Sequence, residues 1–259
     1  ACVMGDTDLA DAYAAEYKKA YDDVNLYYNE WSADLGYGGF YAYGSDGEFI
    51  TSKGKSGNVE SSIMFSGAMA GQFMSRMTGQ GDVVPFDQFV SHMETFLETS
   101  VQQTSDYMAP KVYNLRTEQS LDWISSNCWP FYLESYGGMA AIQAGYLEDG
   151  LEILEHTSLV DLRLGYTWSR SLWTRIYLTY MTAPVSWMIG DVLAGTSINA
   201  PDHTLTLGPS CIASEGVGVG DNLSVTLYYP KYWATLTYDT SKGICTYKII
   251  KTFYDEGDT

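Results

Sequence analysis

Apolar residues recur every three or four positions in several stretches up to about residue 195, and this spacing predicts amphipathic helices. The clearest stretch runs from residue 8 to about 31, where Asp8 is the predicted N-cap and the apolar stripe comprises Leu9, Tyr13, Tyr17, Ala20 and Val24. Similar patterns predict helices over 61–77, 85–101, 130–144, 150–156 and 185–193. Residues 102–126 and 160–182 lack such a pattern, so we expect them to be irregular.

The pattern changes after about residue 203, where alternating and β-branched residues predict strands over 204–207, 223–229, 233–238 and 245–250. The glycines and aromatic residues of 36–43 predict one earlier short hairpin. The chain is therefore expected to divide into a helical part, 1–195, and a β segment, 196–259. Because four strands leave open edges, we expect the β segment to complete an antiparallel β-sandwich with other polypeptide.

Charge and composition narrow the classes of partner. The chain has 32 acidic and 14 basic residues, a net charge of −18, which disfavours nucleic acid as a partner. A large negative charge suits solubility, and it also suits a saline or extracellular setting. Of an extracellular and a cytoplasmic location, the extracellular one is favoured. No run of apolar residues approaches the ~18 that a membrane span requires. The 22 tyrosines and seven tryptophans suit either the stacking of sugar rings or the filling of a helical core.

The cysteines and histidines predict no metal site and no cofactor. No CxxC pair is present, and the three histidines are scattered along the chain. Cys211 and Cys245 flank much of the predicted strand region and could form a disulfide in a secreted protein. Free buried thiols are the alternative.

The first residues predict that the chain is the back portion of a larger protein. The segment 1–6 is typical of the last turn of a helix, and no initiator Met or apolar leader precedes it. The apolar face of the helix that follows also needs a partner. We therefore expect the residues that perform chemistry to lie, at least in part, outside this chain.

Several motifs occur in the order and spacing of one known family. They are Gly-Gly-Phe-Tyr-Ala-Tyr at 38–43, Ser-Ile-Met-Phe-Ser-Gly-Ala-Met-Ala-Gly-Gln at 62–72, Gly-Tyr-Leu-Glu-Asp-Gly-Leu at 145–151, Tyr-Met-Thr-Ala-Pro at 180–184 and the segment 199–209. Together they resemble glycoside hydrolase family 116, which includes bacterial β-glucosidases and non-lysosomal glucosylceramidases. The resemblance implies a mainly α fold, with 1–195 forming part of an (α/α)6 barrel.

The resemblance also implies a retaining mechanism with two carboxylates roughly 5 Å apart. Both would lie upstream of the matched region, outside this chain. Arg175 stands close to the position of an arginine that grips sugar hydroxyls in the family. Trp168 or its neighbours occupy the place of the family's glutamate, and this departure puts glucosidase specificity in question.

Six residues are the candidate sugar-binding set. Trp168, Arg170, Trp173 and Arg175 form the densest aromatic and basic stretch, and they could either hold a sugar or close one end of the helical part. Asn127 precedes a predicted helix that carries Glu134. These two could line the cleft, but a plain N-cap and a surface or ion-paired carboxylate are the alternatives.

Two functions follow from these observations. The first is the C-terminal portion of a retaining β-glycosidase-like protein, with a glycoside as substrate and the N-terminal remainder, or another subunit, as partner. The second is a non-catalytic structural or assembly protein built on a degenerate glycosidase scaffold. A lectin is a third, weaker alternative.

Overall fold

The structure, a computed structural model, describes residues 4–42, 62–65, 67–103, 108–110, 112–120, 130–164, 188–209 and 222–253. Six α-helices occur in these ranges: α1 (Thr7–Asn25), α2 (Ala70–Met77), α3 (Phe86–Thr99), α4 (Pro130–Ala144), α5 (Leu147–Leu164) and α6 (Ile189–Ala194). A 3₁₀ helix covers Trp31–Leu35.

Twelve short strands form five antiparallel sheets in the described ranges. The strands are β1 (Tyr28–Asn29), β2 (Phe40–Tyr41), β3 (Ile63–Met64), β4 (Val101–Gln103), β5 (Met108–Pro110), β6 (Tyr113–Asn114), β7 (Gln119–Ser120), β8 (Ser197–Asn199), β9 (Thr204–Thr206), β10 (Asn222–Tyr228), β11 (Tyr232–Asp239) and β12 (Ile244–Thr252). The sheets pair β1 with β2, β4 with β5 and β8 with β9, and they order the rest as β3-β6-β7 and β10-β11-β12.

The expectation of a mainly α fold with part of an (α/α)6 barrel is wrong. About 46% of the described residues are helical and 25% lie in strands, and the described helices close no barrel. The physical reason is visible in α1, which buries none of its residues and so cannot belong to a closed layer of packed helices. Short strands also lie between α1 and α2 and between α3 and α4. The predicted boundary at residue 195 stays a prediction.

Individual elements agree with the sequence patterns to differing degrees. The helix predicted over 130–144 and the three strands predicted near 223–250 are confirmed within two residues. The helix predicted over 61–77 is wrong in its first part, because Ile63 and Met64 form a strand paired with β6. Residues 102–126, predicted as irregular, contain β5, β6 and β7 and most of β4. Short apolar runs fit both periods, so pattern alone does not separate these cases.

The main core is centred on α4, which packs against α2, α3 and α5. Phe89, Phe96 and Met139 are almost completely buried there. Helices α4 and α5 cross at two glycines, Gly138 and Gly150. A Cβ on Gly138 would lie 2.9 Å from the Gly150 carbonyl oxygen, so side chains at these positions would push the helices apart.

A second, smaller core lies between α6 and the sheet β10-β11-β12. Leu223, Leu227 and Leu236 form it with Ala194 at the end of α6. Leu227 and Ala234 are paired across β10 and β11, and Val225 is paired with Leu236, so alternate residues of both strands face α6. A bulge between Trp233 and Ala234 shifts the register toward β12. Each fully buried leucine contributes about 1.5–3 kcal/mol to this contact.

A side-chain hydrogen bond links α6 to the residue that follows β10. The Tyr229 hydroxyl donates to Asp191 Oδ1 at 2.8 Å. Burial raises the pKa of the Asp191 carboxyl, and the hydrogen bond from Tyr229 opposes that shift. The same burial, together with the neighbouring Asp191, raises the pKa of Tyr229. This bond therefore holds the sheet against the helical part through a partly desolvated polar pair.

Candidate functional site

Most of the candidate sugar-binding residues lie outside the described ranges. These are Asn127, Trp168, Arg170, Trp173 and Arg175. The backbone of Glu134 belongs to α4, but its side chain is also outside what the structure describes. Their roles stay predictions, and the structure brings none of them together.

The structure describes one of the two cysteines for which a disulfide or a buried thiol is predicted. Cys245 is an exposed free thiol on β12, so the expectation that it is a buried thiol is wrong. Cys211 lies outside the described ranges.

A cleft of about 490 Å³ is the best candidate site in the described part of the chain. It lies where the loop after α2 meets the end of α4, the end of α6 and the β8–β9 hairpin. Its polar lining includes one guanidinium, one carboxylate, one amide and three hydroxyl groups, and Phe86 provides an aromatic wall. The polar side chains are Arg76, Asp82, Gln143, Thr196, Ser197 and Thr206.

The charged pair of the cleft is held by a buried glutamine. Gln72 accepts hydrogen bonds from the backbone N–H groups of Val83 (2.8 Å) and Val84 (3.2 Å), which positions the loop after α2. Its Nε2 donates to Asp82 Oδ1 at 2.5 Å, and Arg76 Nη1 donates to the same oxygen at 2.7 Å. Both described hydrogen bonds of the carboxylate therefore end on Oδ1, and Oδ2 can accept from a ligand.

The ion pair between Arg76 and Asp82 is suited to binding more than to stability. Their side chains are 33% and 37% exposed, and pairs that are so accessible contribute little to folding. The Arg76 guanidinium also lies over the Phe86 ring, 4.5 Å from its centroid, so its plane is already oriented. An arginine fixed in this way presents its remaining N–H donors in a rigid fork.

Gln143, another lining residue of the cleft, contains an unsatisfied acceptor. Gln143 Nε2 points at the Phe73 carbonyl oxygen at 3.4 Å, whereas Gln143 Oε1 is buried without a partner among the described residues. A buried acceptor without a partner lowers the stability of this part of the fold. The cleft thus places the amide of Gln143 beside the charged pair of Arg76 and Asp82.

Backbone geometry brings the two sides of the cleft close together. Gly195 has a positive φ of +59°, and a Cβ at this position would collide with the Gly208 carbonyl oxygen. The Ser197 hydroxyl donates to the Arg76 carbonyl at 2.9 Å, which attaches the β8–β9 hairpin to the end of α2. These backbone and side-chain contacts therefore hold the sides of the cleft in place.

A second hollow, of about 530 Å³, lies between α1 and the body of the protein. Its lining is mostly apolar and includes four tyrosines from α1, β2 and the intervening segment: Tyr17, Tyr21, Tyr27 and Tyr41. Tyr41 is hydrogen-bonded to Gln88 at 2.6 Å, and burial raises the pKa of its hydroxyl. This hollow offers apolar contact and few free polar atoms.

Sequence reasoning missed the residues of the 490 Å³ cleft. One local signal was present, because Arg76 and Asp82 flank the Gly-Gln-Gly turn at 79–81. Gln143 and Thr196 follow unrelated elements, and no spacing in the sequence relates them to Arg76. The two charged residues that flank this glycine turn were therefore the one feature of the sequence that could have indicated the cleft.

Comparison of the chain with models of known protein families and with curated proteins finds no match.

In the described ranges, no helix is both long enough and apolar enough to cross a membrane. The same ranges contain no cluster of three or more histidine, cysteine, aspartate or glutamate side chains placed to hold a metal ion.

Proposed function

We propose that this chain is the sugar-binding portion of a β-glycosidase-like protein whose catalytic carboxylates lie outside it. The observation that supports the proposal is the 490 Å³ cleft, where Arg76 and Asp82 present donors and an acceptor beside Phe86 and where Gln143 is a further polar lining residue. Neutral sugars are recognised by such sets, because each hydroxyl both donates and accepts and the ring carbons pack on apolar surface. The family resemblance adds the reaction class, retaining hydrolysis.

A cleft with this lining suits binding without cleavage. Retaining hydrolysis requires two carboxylates across the scissile bond, and Asp82 is the single carboxylate among the described lining residues. Arg76 already neutralises it from 2.7 Å. We therefore expect the isolated chain to bind glycosides and to leave aryl β-glycosides uncleaved. Turnover by the isolated chain would contradict this division of roles.

Sugar titration followed by NMR chemical shifts tests the binding. We expect neutral monosaccharides and β-linked disaccharides to perturb the amides of 76–86 and 195–208, with millimolar affinity. Arg76→Ala removes the oriented donors, and we expect it to weaken binding at least tenfold, about 1.4 kcal/mol. Arg76→Lys keeps the charge without the fork and should recover less than half of that loss.

Arg116→Ala is the matched control. Arg116 also places its guanidinium over an aromatic ring, 4.8 Å from the centroid of Trp31, but it does not line the cleft. It should leave sugar affinity unchanged. Equal losses in the Arg76 and Arg116 variants, or no shift in any amide of the cleft at saturating sugar, would exclude the cleft as a sugar site.

The non-catalytic assembly protein is the second candidate. It is favoured by the unburied helix α1, which exposes the apolar side chains Leu9, Tyr13 and Tyr17. An assembly protein needs such a surface and does not need the cleft. Failure of every sugar to bind, together with self-association of the chain, would support this alternative.

A further inference from the structure

Two exposed surfaces of the chain are complementary in charge and polarity. The first is the apolar stripe of α1, here called the helix stripe: Leu9, Tyr13, Tyr17, Ala20 and Val24. Tyr13 is 62% exposed and Tyr17 53% exposed, although both belong to the apolar face of the helix. The stripe borders the half-open hollow of about 530 Å³ described above. The stripe and the lining of the hollow, which share Tyr17, Ala20 and Val24, are therefore mostly apolar.

Helix α1 as a whole carries a negative net charge. Residues 7–25 contain five acidic residues and two lysines, a net charge of −3. Glu16 and Asp23 are seven residues apart and so lie on one side of the helix. Each is within three or four positions of Ala20, which places both at the edge of the stripe.

The second surface is the face of the sheet β10-β11-β12 that points away from α6, here called the outer sheet face. Its members are Tyr228, Trp233, Lys248, Lys251 and Phe253. Trp233 and Lys251 are cross-strand partners, as are Thr235 and Lys248, and both β11 residues alternate with the buried Ala234 and Leu236. The two lysines therefore stand on the exposed side.

Aromatic rings project from the outer sheet face. Tyr228 and Phe253 contact the Trp233 ring edge-on, with centroids 5.4 Å and 5.1 Å away. Tyr228 is 69% exposed. The Lys251 ammonium lies 5.0 Å from the Trp233 centroid and 4.8 Å from that of Phe253. This is a partly exposed aromatic cluster with a positive charge.

The sheet is positively charged, whereas the chain as a whole is negatively charged. Residues 222–253 contain four lysines and one acidic residue, Asp239, a net charge of +3 in a chain of net charge −18. Asp239 lies at the turn, where Lys242 pairs with it at 2.6 Å. Within the described sheet, the lysines of the outer face thus have no carboxylate partner.

We propose that the helix stripe of one copy of this chain docks on the outer sheet face of a second copy. The projecting aromatic cluster enters the hollow beside α1, and Lys248 and Lys251 face Glu16 and Asp23. Burial of exposed apolar area supplies the attraction, and the opposite charges set the orientation. Because each copy carries both surfaces, two copies can close the contact twice around a two-fold axis. The contact does not depend on sugar binding.

Charge reversal with a complementation step tests the contact. Glu16→Lys with Asp23→Lys makes the helix stripe basic, and Lys248→Glu with Lys251→Glu makes the outer sheet face acidic. Sedimentation velocity over a concentration series up to about 200 µM covers the range of weak self-association. The wild type should self-associate, and each double variant alone should associate at least tenfold more weakly, because like charges then meet.

An equimolar mixture of the two double variants decides the result. In the mixture every helix stripe again meets a sheet face of opposite charge, so association should return to the wild-type level. Misfolded variants could not complement each other, and the recovery therefore separates loss of contact from loss of fold. Raised salt should weaken association in the wild type and in the mixture alike.

Two variants control for net charge. Asp11→Lys with Asp22→Lys makes the same change on the opposite side of α1, where Asp22 pairs with Lys18 at 2.7 Å. Lys231→Glu with Lys242→Glu makes the same change at the turns of the sheet. Both should associate like the wild type. A monomeric wild type, equal weakening by the controls, or a mixture that stays monomeric would each overturn the proposal.

Discussion

Helices α1 and α3 have the same kind of sequence pattern, but the apolar face of α3 is buried in the core and that of α1 is not. Both place apolar residues every three or four positions. In α3 these residues enter the core, and six positions are buried: Phe89, His92, Met93, Thr95, Phe96 and Thr99. In α1 no residue is buried. The comparison teaches that an amphipathic pattern specifies which face is apolar and does not specify what covers it.

The polar groups of the two helices differ in the same way. In α3 the Thr99 hydroxyl donates to the Thr95 carbonyl at 2.6 Å, and His92 Nδ1 accepts from the Tyr41 N–H at 3.0 Å. In α1 the described ion pair, Lys18 with Asp22, stands in solvent. Buried polar groups require partners, whereas exposed ones exchange theirs for water. Substitutions in α3 should therefore act on the whole fold and those in α1 on the helix alone.

The largest expected contrast comes from removing one aromatic ring from each helix. Phe96 is 1% exposed, and Phe96→Ala should lower the free energy of unfolding by roughly 3–5 kcal/mol, because the ring leaves a cavity in the core. Tyr13→Ala should change it by less than about 0.5 kcal/mol, since Tyr13 packs on little. Urea unfolding followed by tryptophan fluorescence measures both. Similar losses in the two variants would show that α1 is packed in solution.

The next contrast is in how the stability of the protein depends on pH, because α3 contains the buried His92. Burial lowers the pKa of this histidine from 6.5 to about 3 in the folded protein. The unfolded state thus binds a proton that the folded state does not, so stability is full above pH 6.5 and falls as the pH drops toward 3. The slope is roughly 1.4 kcal/mol per pH unit.

His92→Asn tests this assignment. The Asn oxygen can still accept from the Tyr41 N–H, but the side chain does not titrate. As the pH is lowered from 6.5 to 4, the free energy of unfolding of the wild type should therefore decrease relative to that of the variant. Urea unfolding at several pH values measures both free energies. Asp11→Asn on α1 is the control for a surface change. A difference that stays constant with pH would refute a buried neutral His92.

The smallest expected effect is at the N-terminus of α1. Asp6 caps this helix, and its Oδ1 accepts from the Leu9 N–H at 3.0 Å, so the prediction that Asp8 is the cap is wrong. Asp6→Ala should destabilise α1 by about 1 kcal/mol. Because α1 buries nothing, the loss should appear as faster amide hydrogen exchange in 7–25, with global stability unchanged. Faster exchange across α3 as well would mean that the two helices unfold together.

Local structure was predictable wherever one period dominates a segment. The strands near 223–250 follow from alternation and from the turns that separate them, and helix α4 begins at Pro130, as its sequence predicts. Ile63 and Met64 were assigned to a helix because an apolar pair fits both periods. What decides their strand is pairing with Tyr113 and Asn114, about fifty residues away. No local pattern contains that information.

The candidate cleft was less predictable than the fold. Its charged pair, Arg76 and Asp82, is near in sequence and brackets a glycine turn, so proximity could have been inferred. Gln143 reaches the cleft because α4 packs against α2, and Thr196 because α6 ends beside the β8–β9 hairpin. Those relations depend on how helices pack, and packing is a property of many side chains at once.

By itself the sequence determined the apolar faces, the strands of the sheet, the glycine turns and the excess of negative charge, because each depends on neighbours within about a dozen residues. The tertiary structure alone decided that α3 is covered and α1 is not, and that Arg76, Asp82 and Gln143 share one cleft. It also decided that the lysines of β12 stand beside exposed aromatic rings. Such facts arise from contacts between residues far apart in the chain, whose free energies are settled only when the whole core packs.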